Sequence, residues 1–158
     1  MTNLKIKTLI LRFRDLVTPP GDTIKRHKHI RDDKGFVWWG WWNKAGEVIP
    51  DRIFAELKTQ AKESGLKILL FDSGHSKVYE ATCEDICWEP TRERIPSPAP
   101  DRTPEYYNEQ KYLAWFKFTA INGKQLDEKV LHDYSYVRVD DFFETGSSRY
   151  EAFYNKAL

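Results

Sequence analysis

The sequence predicts an α+β domain, a twisted β-barrel of five or more strands flanked by two or more helices. Three observations carry that prediction. Strand-like and helix-like patterns follow one another in the order β-α-β-α-β-β-loop-β, and no internal repeat interrupts them. Both helical segments are punctuated by glycine or proline at the positions where helices start and stop. At 158 residues the chain is one domain's worth, residues 1–158, and can bury about two-thirds of its unfolded surface without disulfide or metal staples.

Taken in order, Leu4 to Phe13 alternates loosely and then turns fully apolar at Leu9-Ile10-Leu11, as a largely buried strand does. Pro19-Pro20-Gly21 stops it. Asp22 or Thr23 can cap a helix running to about Asp33, with Gly35 in the C-cap position. Phe36 to Trp42 is β-prone. Pro50 opens a second helix whose Ile53, Phe54, Leu57 and Ala61 share one face, and Gly65 closes it. Leu66 to Phe71 and Lys77 to Trp88 read as a hairpin about Asp72-Ser73-Gly74-His75-Ser76. The proline-rich stretch Glu89 to Asn108 is long enough to be a functional flap or a disordered segment. Tyr112 to Ile121 is another strand, and Asn122-Gly123 signals a turn at its end. Tyr136 to Val139 is a possible strand. The tail holds Phe153 and Tyr154 and stops abruptly, which predicts a domain cut from a longer protein.

Composition excludes several classes. No apolar run approaches the ~20 residues of a membrane-spanning helix, and Met1-Thr2-Asn3-Leu4-Lys5 lacks the apolar stretch of a signal peptide. The expected location is the cytoplasm, without membrane contact. Cys83 and Cys87 lie in one strand, where residues four apart share a face but stand roughly 13 Å apart, too far for a disulfide or a shared metal. They read as reduced thiols. The net charge of +1 conceals a split. Met1 to Lys44 holds ten Lys/Arg against four Asp/Glu, and Ala45 to Leu158 holds fifteen against twenty. Arg12, Arg14, Lys25, Arg26, Lys28 and Arg31 are therefore candidate phosphate-binding residues, with Lys5 and Lys7 adding to the same field. The plainer alternative is a solvated surface.

Six tryptophans are many for this length, and Trp38, Trp39, Trp41 and Trp42 stand within five residues. Strand periodicity puts Phe36, Trp38, Gly40 and Trp42 on one face and Val37, Trp39 and Trp41 on the other. Gly40 removes a side chain between Trp38 and Trp42, leaving a slot that suits a planar ring. Base–aromatic stacking there is worth ~1–3 kcal/mol per base. The alternative is a tryptophan-rich core with Gly40 as a bulge or bend. Val37 faces the core in both.

Trp38-Trp39-Gly40-Trp41-Trp42-Asn43 resembles the W-x-G-x-x-N signature of EVE domains, and Gly35-Phe36-Val37-Trp38 resembles the corresponding stretch of YTH domains. Leu69 to Gly74 and Lys77 to Ile86 resemble the strand, polar turn and returning strand of both. The resemblance spans roughly residues 4–121 and implies the PUA-like superfamily. It implies a module that binds nucleic acid and takes a modified or flipped base into an aromatic pocket. Trp38 falls on one wall, with Trp39, Trp41 and Trp42 beside it and Asn43, Asp72 and Ser73 where polar groups flank the site. The second wall of YTH domains falls near Ala120 in the simplest register, so either Trp115, Phe118 or another tryptophan substitutes, or the pocket holds something different.

The residues name no complete catalytic constellation, metal set or cofactor motif. Asp72-Ser73-Gly74-His75 holds nucleophile-like side chains that a hairpin turn also explains. His27 and His29, two apart on a helix, point to different sides and cannot chelate together, while His29 and Asp33 could pair on the surface. The expected partner is thus a nucleic acid or nucleotide. The competing class is an enzyme or its accessory. The ASCH branch of the superfamily includes nucleoside-acting hydrolases, and similar tryptophan-rich domains accompany calcineurin-like phosphoesterases, fused or encoded in one operon, in bacterial defence.

Overall fold

The computed structural model describes residues 2–13, 22–41, 49–72, 77–91, 93–105, 110–124 and 149–156, with residues 2–8 and 149–156 described by their backbone. The elements are β1 (Thr2–Phe13), α1 (Asp22–Lys34), β2 (Val37–Gly40), α2 (Asp51–Ser64), β3 (Leu66–Asp72) and β4 (Lys77–Trp88), followed by β5 (Ile95–Pro96), β6 (Lys111–Tyr112), β7 (Ala114–Lys124) and β8 (Arg149–Lys156). Six strands form one mixed sheet in the order β2-β7-β4-β3-β1-β8, and β5 pairs with β6 in a small hairpin. β1 and β3 run parallel at the centre, and every other pairing is antiparallel.

The sheet is rolled. β1 and β2 stand four places apart, about 19 Å on a flat sheet at the usual strand spacing. Yet the rings of Phe13 on β1 and Trp39 on β2 meet edge to face with centroids 5.1 Å apart. The interior that this curl encloses holds Leu9, Leu11, Ile68, Leu70, Phe116 and Phe118. The central strands are buried on both faces, as the continuous runs Leu9-Ile10-Leu11 and Ile68 to Phe71 anticipate. α2 lays Ile53, Phe54, Leu57 and Ala61 into the same cluster, and α1 adds Ile24.

Helix punctuation follows the sequence. Gly35, at φ +91°, donates its N–H to the Arg31 carbonyl at 2.8 Å, and Gly65, at φ +76°, donates to Ala61 at 3.0 Å. The Pro50 carbonyl receives the N–H groups of Ile53 and Phe54 at 2.9 and 3.0 Å, so this proline stands at the N-cap just before α2.

Three expectations are corrected, and the tail adds a strand. Asn122-Gly123 makes no turn: β7 runs through it, with Asn122 opposite Glu80 and Gly123 opposite Tyr79. Long cross-strand pairing outweighs a local dipeptide preference. Cys83 and Cys87 do not share a face. Pairing skips Glu84 on β4 and Thr119 on β7, so the alternation inverts. Cys83 and Ile86 therefore face the interior and Cys87 the outside. The tail forms β8, antiparallel to β1. The proline-rich stretch is neither one open loop nor disordered where it is described: it carries β5 and a single 3-10 turn at Pro100–Arg102. The expected turn at 73–76 and the strand at 136–139 lie outside the described residues.

His27 is a buried titratable side chain of α1. Its ring packs 4.4 Å from the Trp39 indole, and its Nδ1–H donates to the Thr23 carbonyl at 2.7 Å. Burial pushes its pKa from 6.5 down to about 4, against the opposing pull of that hydrogen bond. The folded protein thus keeps His27 neutral where the unfolded chain would protonate it. Stability is complete above pH 6.5 and falls as the pH drops towards about 4, by on the order of 3 kcal/mol. In His27→Gln that share of the acid sensitivity disappears. Denaturant unfolding at pH 7 and pH 4.5 checks it: the loss between the two must be smaller in the variant.

Candidate nucleic-acid interface

β2 separates its tryptophans by alternation. Trp39 and Trp41 point into the rolled interior at 2% and 1% exposure, Trp39 against Phe13 and Trp41 edge-on to Phe54 at 6.2 Å. Trp38 points outward and joins a second cluster with Trp115 and Tyr112. Of the two named substitutes for the second wall, Trp115 stands on Trp38's face and Phe118 on the opposite one, 5.7 Å from Trp39. Cross-strand pairing explains this, since Gly40 faces Trp115 and Val37 faces Phe118.

The space before Gly40 is filled by a ring of this chain. Tyr112 lies edge-on to Trp115 with centroids 5.2 Å apart, and a Cβ at Gly40 would stand 2.4 Å from its Cδ2 and 2.7 Å from its Cε2. The outer cluster therefore sits closed under a strap whose described residues are 93–105 and 110–112. The Trp115 Nε1–H donates to the Ile95 carbonyl at 2.8 Å, which satisfies an indole with no exposed surface. The strap also staples itself. The Ala99 N–H donates to Ser97 Oγ, the two hydroxyls of Ser97 and Thr103 lie 2.6 Å apart, and Thr103 Oγ1 donates to the Ala99 carbonyl.

At the edge of this cluster, Phe36 carries two cations. Arg102 of the strap lies 4.4 Å from its ring centre and Lys117 of β7 lies 4.2 Å from it. Arg102 is tethered to the Lys34 carbonyl at 2.6 Å, and Lys117 to Glu84 at 2.7 Å. Neither cation is apparent from the sequence as a site residue, because both belong to the acidic part of the chain. Tyr112 is equally hidden, since only the fold of the strap brings it to Gly40.

Among the basic candidates, Lys25, Arg26, Lys28 and Arg31 all lie exposed on α1. Arg26 pairs with Asp22, and Arg31 donates to the Thr119 carbonyl that the bulge leaves out of the ladder. Lys25 and Lys28 have no ion pair among the described residues. They line a groove of about 730 Å³ with Ile24, His29, Tyr79 and Pro104. His29 is exposed while His27 is buried, as their spacing requires. Arg12 is half-buried on β1, and Asp72 is buried at the end of β3. Trp42, Asn43, Ser73 and Arg14 lie outside the described residues.

A rolled mixed sheet with two packed helices, an aromatic cluster on its outer face and a basic helix define a small α+β barrel-type domain. The family model described as Pua-like matches residues 9–158, and the chain belongs to that family. No curated protein and no solved structure matches it. Among the described residues, no helix is long and apolar enough to cross a membrane.

The Gly40–Tyr112 contact yields a stability prediction. Gly40→Ala forces Tyr112 or the strand to move and should cost about 1–3 kcal/mol. With Tyr112→Ala in the same chain, most of that cost should vanish. A double-mutant cycle read by denaturant unfolding checks this, and simple additivity would place the strain elsewhere.

Proposed function

We propose that this domain binds nucleic acid and stacks one base, flipped or modified, against Trp38 and Trp115 in the slot that Tyr112 fills in this structure. The observation that carries the reading is the slot itself. A planar ring already rests on the bare backbone of Gly40 beside two indoles, and a base has the flat shape and the π-face to replace it. Membership of the Pua-like family supports the same direction. The exposed Lys25, Arg26, Lys28 and Arg31 on α1 supply a positive track for phosphates, and Trp42, Asn43, Asp72, Ser73, Arg12 and Arg14 remain candidates around it. Trp39 and Trp41 support the strand from behind. Two free cysteines suit a reducing, cytoplasmic setting.

Two substitutions test the slot from opposite sides. Trp38→Ala removes a stacking wall and should weaken binding of single-stranded oligonucleotides by up to about a hundredfold. Tyr112→Ala removes the competing ring, whose aromatic pairing is worth ~0.5–1.5 kcal/mol, and should tighten binding by up to about tenfold. Fluorescence titrations with thermal melts on the same samples separate binding from folding. If Tyr112→Ala stays folded and binds more weakly than the wild type, the slot reading is wrong.

The steering helix has its own test. Replacing Lys25, Arg26 and Lys28 with Ala should weaken all sequences alike and flatten the salt dependence, by about 0.7 in log–log slope for each single-strand phosphate no longer neutralised. Unchanged affinity and slope would mean that α1 faces away from the ligand.

A further inference from the structure

We propose that Arg102 and Lys117, gathered on the ring of Phe36, form an anion site that takes a backbone phosphate of the bound strand. The inference rests on the nucleic-acid reading above and names a contact that the charge pattern of the sequence does not reveal. Two cationic groups each lie within 4.4 Å of one ring centre, so their positive charges add to one local field. The compensation present is incomplete. Glu84 neutralises Lys117, but Arg102 donates to a main-chain carbonyl, that of Lys34, and has no carboxylate partner among the described residues. One positive charge is therefore left over at this point.

The geometry suits a phosphate. Phe36 holds both cations through its π-face, which fixes them without neutralising them. The Lys34 carbonyl, at the end of α1, orients the guanidinium and leaves further N–H donors for a second acceptor. Phe36 stands two residues before Trp38, just ahead of β2, and packs against the same outer cluster, so the pair borders the stacking wall. A strand whose base enters the outer cluster would pass its phosphate beside these cations. The ligand class is thus a phosphodiester next to the stacked nucleotide, held by Arg102 from the strap and Lys117 from the sheet.

Inorganic phosphate tests the site without reference to any base. In an NMR titration of the wild-type protein, the Arg102 Nε–H and the backbone amides of Phe36 and Lys117 should shift together and saturably, and chloride at equal ionic strength should not reproduce the effect. Absence of such shifts overturns the anion site, whatever becomes of the base slot. The oligonucleotide arm compares Lys117→Met and Arg102→Gln/Lys117→Met with the wild type. The double variant should bind about tenfold more weakly, with a log–log salt slope shallower by about 0.7. Arg102→Lys, which keeps the charge, should retain most of the slope. If Trp38→Ala loses binding while the double variant keeps wild-type affinity and slope, the stacking reading stands and this inference falls. If phosphate shifts the site but no oligonucleotide binds, the anion site stands and the nucleic-acid reading falls.

Discussion

Phe13 and Trp39 touch across a sheet in which their strands are four places apart, and most of the architecture depends on that closure. Bringing the β2 end over the β1 end creates an inside, and strand alternation then sorts every side chain on β2 and β7 into one of two environments. Trp39, Trp41, Phe116 and Phe118 fill the interior, while Phe36, Trp38, Trp115 and Lys117 face outward. His27 takes part in the same closure from α1, since its ring rests on Trp39. A charged imidazole at that point would stand in the most apolar part of the molecule, which explains why its proton affinity is so low.

Much of this was legible in the residues, for identifiable reasons. Gly35 and Gly65 mark helix ends because the positive φ they adopt is cheap for glycine and costly for other residues. The split of Val37, Trp39 and Trp41 from Trp38 follows from a period of two and needs no tertiary information. What failed was information that resides in the pairing of strands. The bulge at Glu84 and Thr119 reverses the alternation of β4 and so separates Cys83 from Cys87, and no local pattern announces it. Asn122-Gly123 carries a strong local turn preference, yet its neighbours find partners on β4 that outweigh it. β8 had a signal in Arg149-Tyr150-Glu151-Ala152-Phe153, which alternates, but its partner is at the opposite end of the chain.

Charge shows the same difference between order along the chain and arrangement in space. Counting along the sequence places the positive potential in the first third and misses Arg102 and Lys117. In the fold these two converge on Phe36, a residue of that first third, and stand near the end of α1. Of the five lysines and arginines on α1, three are committed: Arg26 to Asp22, Lys34 to Asp33, and Arg31 to the Thr119 carbonyl, where it fastens the helix to β7. A long-range field depends on all of them, but short contacts to an anion depend on those still free to donate.

The strap joins these two aspects, because it supplies both the ring over Gly40 and the guanidinium over Phe36. Its internal cycle through Ser97, Ala99 and Thr103 ties residues 97–103 to one another by side-chain hydrogen bonds. Among its polar fastenings to the sheet and helix are the Trp115–Ile95 and Arg102–Lys34 hydrogen bonds, each worth ~0.5–1.5 kcal/mol net, or somewhat more for the charged donor. On the proposed reading, a base that replaces Tyr112 must first break these contacts, so only the open fraction binds. A ligand that needs the open form binds with its intrinsic affinity reduced by that fraction. On that reading, a ring offering no more than tyrosine does would be held out. In the proposed slot a nucleotide would recover the difference by adding what tyrosine lacks, a phosphate beside Arg102 and a wider π-surface against Trp38, and small aromatic molecules would be disfavoured.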